Sequence, residues 1–115
     1  MKAKEDNLQA AVVTYLRLEY KALFCASLGG QYQKYQSQRM KAKRTGYIAG
    51  FPDLFIYEAR GGFNGLAIEL KVKGNYASPK QKEWMSSLND RGYLAEVCTG
   101  FDDAKKTIDN YFNLK

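Results

Sequence analysis

The sequence of 115 residues contains no histidine and only two cysteines. Without histidine the chain has no imidazole for acid/base catalysis, for a Ser-His or Cys-His nucleophile pair, or for a zinc site. Two thiols are too few for a four-cysteine zinc site. Any catalysis therefore depends on carboxylates, lysine or tyrosine, and we expect Cys25 and Cys98, which lie in short apolar runs, to be reduced core residues.

Long apolar runs are also missing. None approaches the roughly 20 residues that a membrane-spanning helix requires. The chain starts with charged residues followed by an amphipathic pattern, which is unlike a secretory leader, so we expect a cytoplasmic protein without a membrane partner. The length fits one domain over residues 1–115, with no repeat or linker.

Acidic residues are absent between Lys21 and Pro52, where six basic residues occur, and the whole chain carries a formal charge of +6. A polyanion such as nucleic acid fits this excess, because each neutralised phosphate releases counterions; a solvated basic loop is the alternative. The polar composition of residues 31–46 predicts a mobile loop or a partly helical arm. The predicted nucleic-acid contacts are Lys34, Arg39, Lys41, Lys43 and Arg44, together with Lys73.

Apolar periodicity and turn residues predict the other elements. The order is α-β-arm-β-β-α-β-α, which indicates an α/β fold with a central mixed sheet flanked by helices. Ser78 precedes a proline at the first helical position, the arrangement of a helix start. We predict helices at 5–19, 79–91 and 101–112, strands at 22–28, 51–57, 65–71 and 93–98, and a hairpin turn at 60–65.

Two carboxylates and a lysine converge in this scheme. Side chains alternate along a strand, so Glu69 and Lys71 share one face, and a turn at residues 61–62 places Asp53 opposite one of them. Together with the Leu70 carbonyl, the two carboxylates offer the oxygen ligands that Mg²⁺ or Mn²⁺ prefers, and Lys71 is placed to orient an attacking water. The alternative is a solvated strand face with an ion pair.

Three motifs resemble those of the PD-(D/E)xK nuclease superfamily, and within it the virus-type replication-repair nuclease (VRR-NUC) family. They are Gly-Phe-Pro-Asp-Leu at 50–54, Ile-Glu-Leu-Lys at 68–71, and Ser-Pro-Lys-Gln at 78–81 before Trp84. The resemblance implies a restriction-endonuclease-like fold and metal-dependent hydrolysis of DNA. It implies that Asp53 and Glu69 hold the metal and that Lys71 positions or activates the nucleophile.

The same resemblance extends to three further residues and to partners. It assigns Glu5 and Gln81 to the catalytic site, and Gln9, one helical turn after Glu5, to nucleic-acid binding. Small viral or phage members resemble dimeric Holliday junction resolvases, which implies a homodimer that acts in the host cytoplasm. The implied substrate is branched, junction or flap DNA in replication or repair, and no small-molecule cofactor is implied.

The alternative is a non-catalytic nucleic-acid-binding module that uses the 34–47 arm, with Tyr32, Tyr35 and Tyr47 as stacking groups.

Overall fold

The structure, a computed structural model, describes residues 2–27 and 36–115, without the side chains of residues 2, 3 and 42. The order of its elements agrees with the predicted order. They are α1 (Lys2–Glu19), β1 (Phe24–Ala26), α2 (Gln36–Arg44), β2 (Leu54–Ile56), β3 (Leu66–Lys71), α3 (Pro79–Asp90), β4 (Leu94–Thr99) and α4 (Gly100–Phe112).

The four strands form one sheet in the order β1-β2-β3-β4. The pairs β1/β2 and β2/β3 are antiparallel, whereas β3 and β4 are parallel and α3 connects them. The predicted mixed sheet is therefore confirmed. The β2–β3 connection reverses through Gly61 and Gly62, which both have positive φ between the bridged residues Arg60 and Phe63; such a turn suits glycine because it has no Cβ.

One face of the sheet packs against α1 and α4. The side chains of Leu66, Ile68 and Leu70 belong to this core, with Val12 of α1 and Ile108 of α4 among their buried partners. Helix α4 packs there because one of its faces is apolar. It buries Ala104, Ile108 and Tyr111, which recur at helical spacing. Because side chains alternate along a strand, the residues of β3 between these three face the other side of the sheet.

The opposite face packs against α3, where Ala67 of β3 contacts a smaller cluster that includes Met85 and Leu88. Because side chains alternate along a strand, Glu69 and Lys71 lie on the same side as Ala67. The fold thus points two charged residues toward the first turn of α3. This layer carries the candidate site.

The structure differs from the sequence prediction at Cys25 and defines the conformation of the basic arm. Cys25 is exposed rather than a core residue, because it lies on edge strand β1, whereas Cys98 is buried as expected. The basic arm is helical over Gln36–Arg44, in agreement with the partly helical alternative, and its Gln, Arg, Lys, Met and Ala residues are good helix formers. Lys34, Tyr32 and Tyr35 lie outside the described residues.

No helix in the described ranges is both long and apolar enough to cross a membrane.

Candidate active site

Asp53 lies immediately before β2 and on its α3 side. The last paired residues of the hairpin are Leu54 and Ile68, so Asp53 comes opposite Glu69, one of the two predicted partners. Its Oδ2 accepts a hydrogen bond of 2.7 Å from the backbone N–H of Leu70. The Asp53 side chain therefore makes a hydrogen bond to β3 at the point where the backbone pairing of β2 with β3 ends. This hydrogen bond fixes the Asp53 carboxylate beside β3.

Glu69 is the central residue of the site and is only 2% exposed. Its Oε2 accepts a hydrogen bond of 2.8 Å from Gln81 Nε2 and lies 3.6 Å from Lys71 Nζ. Its Oε1 is buried and has no hydrogen-bond donor among the described residues. The predicted group of Asp53, Glu69, Lys71 and Gln81 is therefore assembled at one place.

The two carboxylates resist ionisation in this environment. Burial first, and then the negative charge of Asp53, raise the pKa of Glu69 to about 8, although Lys71 opposes the shift. Burial also raises the pKa of Asp53, and the hydrogen bond from Leu70 counteracts this only in part. Two acidic groups held together and away from water favour a shared proton or a bound cation.

Gln81 is held by the first turn of α3. Ser78 caps the helix by accepting a hydrogen bond from the Gln81 backbone N–H, and Gln81 Oε1 accepts one of 2.8 Å from the Ser78 backbone N–H. The amide oxygen is engaged in this capping box, so the amide nitrogen is directed at Glu69. The Ser-Pro-x-Gln motif therefore positions a donor on the buried carboxylate.

The two residues assigned on α1 lie at the margin of the site. The charge of Glu5 contributes to raising the pKa of Asp53, which places it near the carboxylates. Glu5 Oε1 accepts a hydrogen bond of 3.5 Å from Asn75 Nδ2. Gln9 Nε2 instead donates to the backbone carbonyl of Ser27 at 3.3 Å, and so connects α1 with the end of β1.

The basic residues of the arm divide between faces of α2. Arg39 and Lys43, one helical turn apart, line a cavity that also includes Lys80 of α3. Lys41 and Arg44 are exposed and are not among the described residues that line this cavity. Lys73, just after β3, is also exposed.

Two residues near the site are not assigned to it by the sequence. Lys80 stands in the Ser-Pro-Lys-Gln motif directly before Gln81, but the sequence predicts no role for it. The sequence predicts Tyr47 as a stacking group of the arm; burial and the charges of Glu69 and Asp53 raise its pKa, so it lies within the field of both carboxylates. The proximity of Tyr47 depends on how the loop after α2 folds back, which no local pattern reveals.

Known proteins with the same sequence pattern and the same fold identify the family. The model of the VRR-NUC domain family matches residues 1–102. The chain belongs to the VRR-NUC family. A solved VRR-NUC domain protein is 37% identical in sequence, with a TM-score of 0.81 over 96% of this chain and 88% of that chain. Another solved VRR-NUC domain has the same fold, with 21% identity and a TM-score of 0.64 over 94% of this chain and 97% of its own. No curated protein matches significantly.

Membership of the VRR-NUC family implies a nuclease of the PD-(D/E)xK type, and therefore a hydrolase that acts on DNA. Nucleases of this family generally depend on a divalent metal, and the site offers suitable chemistry. Glu69 Oε1 is a buried acceptor without a donor, and a second carboxylate lies beside it. In the described ranges no group of three or more His, Cys, Asp or Glu side chains is arranged to hold a metal, so two carboxylates are the acidic ligands that the site offers.

Proposed function

We propose that this chain is a divalent-metal-dependent endodeoxyribonuclease that hydrolyses phosphodiester bonds at Asp53, Glu69 and Lys71. The observation that supports this most directly is the orphaned Oε1 of Glu69, buried beside a second carboxylate. An unpaired buried acceptor costs about 1–3 kcal/mol, and more when it is charged. Such a cost is understandable in a site that binds a cation.

Asp53, Glu69 and the backbone carbonyl of Leu70 are the groups that would hold the metal. All three supply oxygen, which favours Mg²⁺ or Mn²⁺ over softer metals. A bound divalent cation would offset the negative charge of the carboxylates and of the phosphate. The set is small enough to leave room for substrate oxygens, as is usual for Mg²⁺.

Lys71 acts on the reacting groups, whereas Gln81 acts on the proposed metal ligand Glu69, each through its hydrogen-bond donors. The ammonium of Lys71, near Glu69, is placed to orient an attacking water and to stabilise negative charge that develops on the phosphate. Gln81 holds Glu69 Oε2, which leaves Oε1 as the oxygen available for ligation. Glu5 extends the acidic margin of the site.

We further propose a homodimer that cuts branched, junction or flap DNA. Leu23 and Tyr57 support the dimer: the Tyr57 N–H donates to the Leu23 carbonyl at 2.8 Å, and their side chains are 68% and 51% exposed. Two adjacent exposed apolar side chains beside edge strand β1 are suited to an interface. Sedimentation equilibrium at micromolar concentration tests it, and a mass that stays monomeric with and without junction DNA would exclude it.

The nuclease proposal is tested by incubating the protein with hairpin, flap, four-way-junction and linear DNA, with Mg²⁺, Mn²⁺ or EDTA. We expect metal-dependent cleavage that favours branched DNA, and no cleavage by Glu69→Gln, which keeps the volume of the side chain but removes its charge. Tight DNA binding without cleavage by the wild type under every condition would support the non-catalytic binding module instead. Wild-type cleavage rates for Glu69→Gln would show that the metal assignment is wrong.

A further inference from the structure

A cavity of about 560 Å³ opens beside the candidate active site, between α2 and the start of α3. Its basic side chains are Arg39, Lys43 and Lys80, and its apolar surface includes Tyr47 and Ile48. No acidic residue is among the described residues that line it. The volume lies within the roughly 300–1,000 Å³ of pockets that hold small ligands, and the charge favours an anion.

Two of the lining residues, Lys80 and Tyr47, connect the cavity to the carboxylates. Lys80 directly precedes Gln81, whose amide donates to Glu69. On the other side, the charges of Glu69 and Asp53 act on Tyr47 and, after burial, contribute to raising its pKa. The cavity and the candidate active site therefore share the start of α3 and the loop after α2.

The loop that carries Tyr47 is held against α3. Trp84 Nε1–H donates to the Ala49 carbonyl at 3.1 Å, and the Trp84 ring meets Phe51 edge to face. Gly50 packs so closely on α3 that a Cβ there would lie 2.8 Å from the Lys80 carbonyl carbon, and its φ of +91° also favours glycine. These contacts hold the loop that follows Tyr47 and Ile48 against α3 without a ligand.

We infer that this cavity binds one unpaired deoxynucleotide of the substrate, with the phosphate near the basic side chains and the base against Tyr47 and Ile48. The inference rests on the proposed function, since it takes DNA as the substrate. A base inside a duplex is stacked on both faces and offers no ring surface to a protein pocket, whereas an unpaired base does. The exposed Ile48 and the tyrosine have no evident use toward phosphate alone, which is why we favour a nucleotide over a simple anion.

The experiment is an NMR titration of the metal-free protein, in EDTA, with dAMP and separately with deoxyribose 5-phosphate. We expect dAMP to shift the amides of residues 46–49 and to bind roughly tenfold more tightly than the sugar phosphate, the gain typical of one base contact. Ile48→Ser should reduce this preference, because it removes one of the two side chains against which the base lies. Met40→Ser is the matched control, because Met40 on α2 is 63% exposed against 61% for Ile48 and is not among the lining residues.

Equal affinity for the two ligands would overturn the inference by showing an anion site without base recognition. Shifts confined to another surface would overturn it as well. Because the titration does not involve cleavage, the two proposals fail separately. If the wild type cuts no DNA but dAMP binds here, the nuclease proposal fails and the nucleotide site stands; if it cuts DNA but dAMP does not bind here, only the present inference fails.

Discussion

The side-chain amide of Gln81 connects the cap of α3 to the buried carboxylate of Glu69. Its oxygen accepts from the Ser78 N–H at 2.8 Å, and its nitrogen donates to Glu69 Oε2 at 2.8 Å. The helix cap thereby fixes the orientation of a group that holds a candidate metal ligand. Such supporting contacts commonly matter for metal affinity and activity although they do not touch the metal.

Gln81→Glu should reduce single-turnover cleavage by about 10- to 100-fold while the protein remains folded. Glutamate keeps an oxygen for the Ser78 N–H but turns a negative oxygen toward Glu69 where the wild type has a donor. Ser78→Ala is the matched control: it loses the hydroxyl cap, at about 1 kcal/mol of stability, but keeps the backbone N–H that orients Gln81. Cleavage rates and thermal midpoints of both variants check this. Equal rate losses would mean that the contact with Glu69 is unimportant.

Much of the fold follows from local pattern, and the deviations have physical causes. The predicted strand at 51–57 is shorter in the structure, where β2 is Leu54–Ile56. Pro52 has no N–H to donate to the ladder, and Asp53 uses its carboxylate rather than its backbone to bond Leu70. The same two residues that interrupt the strand place a functional carboxylate at its end.

Asp53→Asn and Asp53→Ala should both lose cleavage but should differ in stability. Asparagine retains an oxygen that can accept from the Leu70 N–H, whereas alanine leaves that donor without its partner, at a cost of about 1–3 kcal/mol. Both substitutions equally remove a negative charge from beside Glu69. Urea unfolding of the two variants measures the difference, and identical unfolding free energies would show that the Leu70 hydrogen bond does not stabilise the fold.

Lys71→Ala should lower the single-turnover rate at saturating Mn²⁺ by about 100-fold or more, but change Mn²⁺ affinity by much less. The reason is that the ammonium, 3.6 Å from Glu69 Oε2, is placed to act on water and phosphate and is not a metal ligand. Lys73→Ala serves as the control, since Lys73 is exposed two residues further on and is predicted only to bind nucleic acid. Loss of Mn²⁺ binding with an unchanged rate at saturation would make Lys71 a structural residue.

The site itself was predictable where strand alternation and register decide the geometry, as for Asp53, Glu69 and Lys71. Only the family resemblance indicates Gln81, because no spacing rule places the first turn of α3 over β3. Tyr47 and Lys80 required the structure, since their approach depends on the close packing of Gly50 against α3. The prediction that Cys25 is a core residue is wrong, because an apolar run does not reveal which strand lies at an edge.

The protein should become less stable in acid, because protonation of Asp109 removes a carboxylate that stabilises the fold. Burial opposes its ionisation, but hydrogen bonds from Tyr15 and Tyr20, of 2.5 and 2.7 Å, prevail and lower its pKa. A carboxyl whose pKa is lower in the folded state stabilises the fold above its unfolded pKa of about 3.9, and this contribution is lost as the pH falls through the folded-state value.

The thermal midpoints of the wild type and Asp109→Asn should therefore differ most above about pH 4 and converge in stronger acid. Circular dichroism melts in steps from pH 7 to pH 2.5 measure this. Tyr20→Phe removes one donor, so the same comparison in that background should show a smaller difference. A gap between wild type and variant that stays constant over the whole range would show that the Asp109 carboxylate does not stabilise α1 against α4 through its charge.

The division of the basic residues of α2 leads to a comparison of two double variants. Arg39→Ala with Lys43→Ala removes the pair that lines the cavity, whereas Lys41→Ala with Arg44→Ala removes the same charge from exposed positions outside it. Each lost phosphate contact should flatten the slope of log K against log salt by about 0.9 on duplex DNA. If both pairs track the backbone of a duplex, both variants flatten this slope.

Only the loss of the Arg39/Lys43 pair should also weaken binding of a single-stranded oligonucleotide beyond the loss seen with duplex. The reason is that, of these four residues, only Arg39 and Lys43 line the same cavity as Tyr47 and Ile48. Fluorescence anisotropy with both DNA forms over a range of salt concentrations measures this, with single-turnover cleavage at saturating enzyme as a check on the chemistry. Identical losses for the two variants on both DNA forms would show that α2 acts as a uniform basic surface and that its two faces do not differ in function.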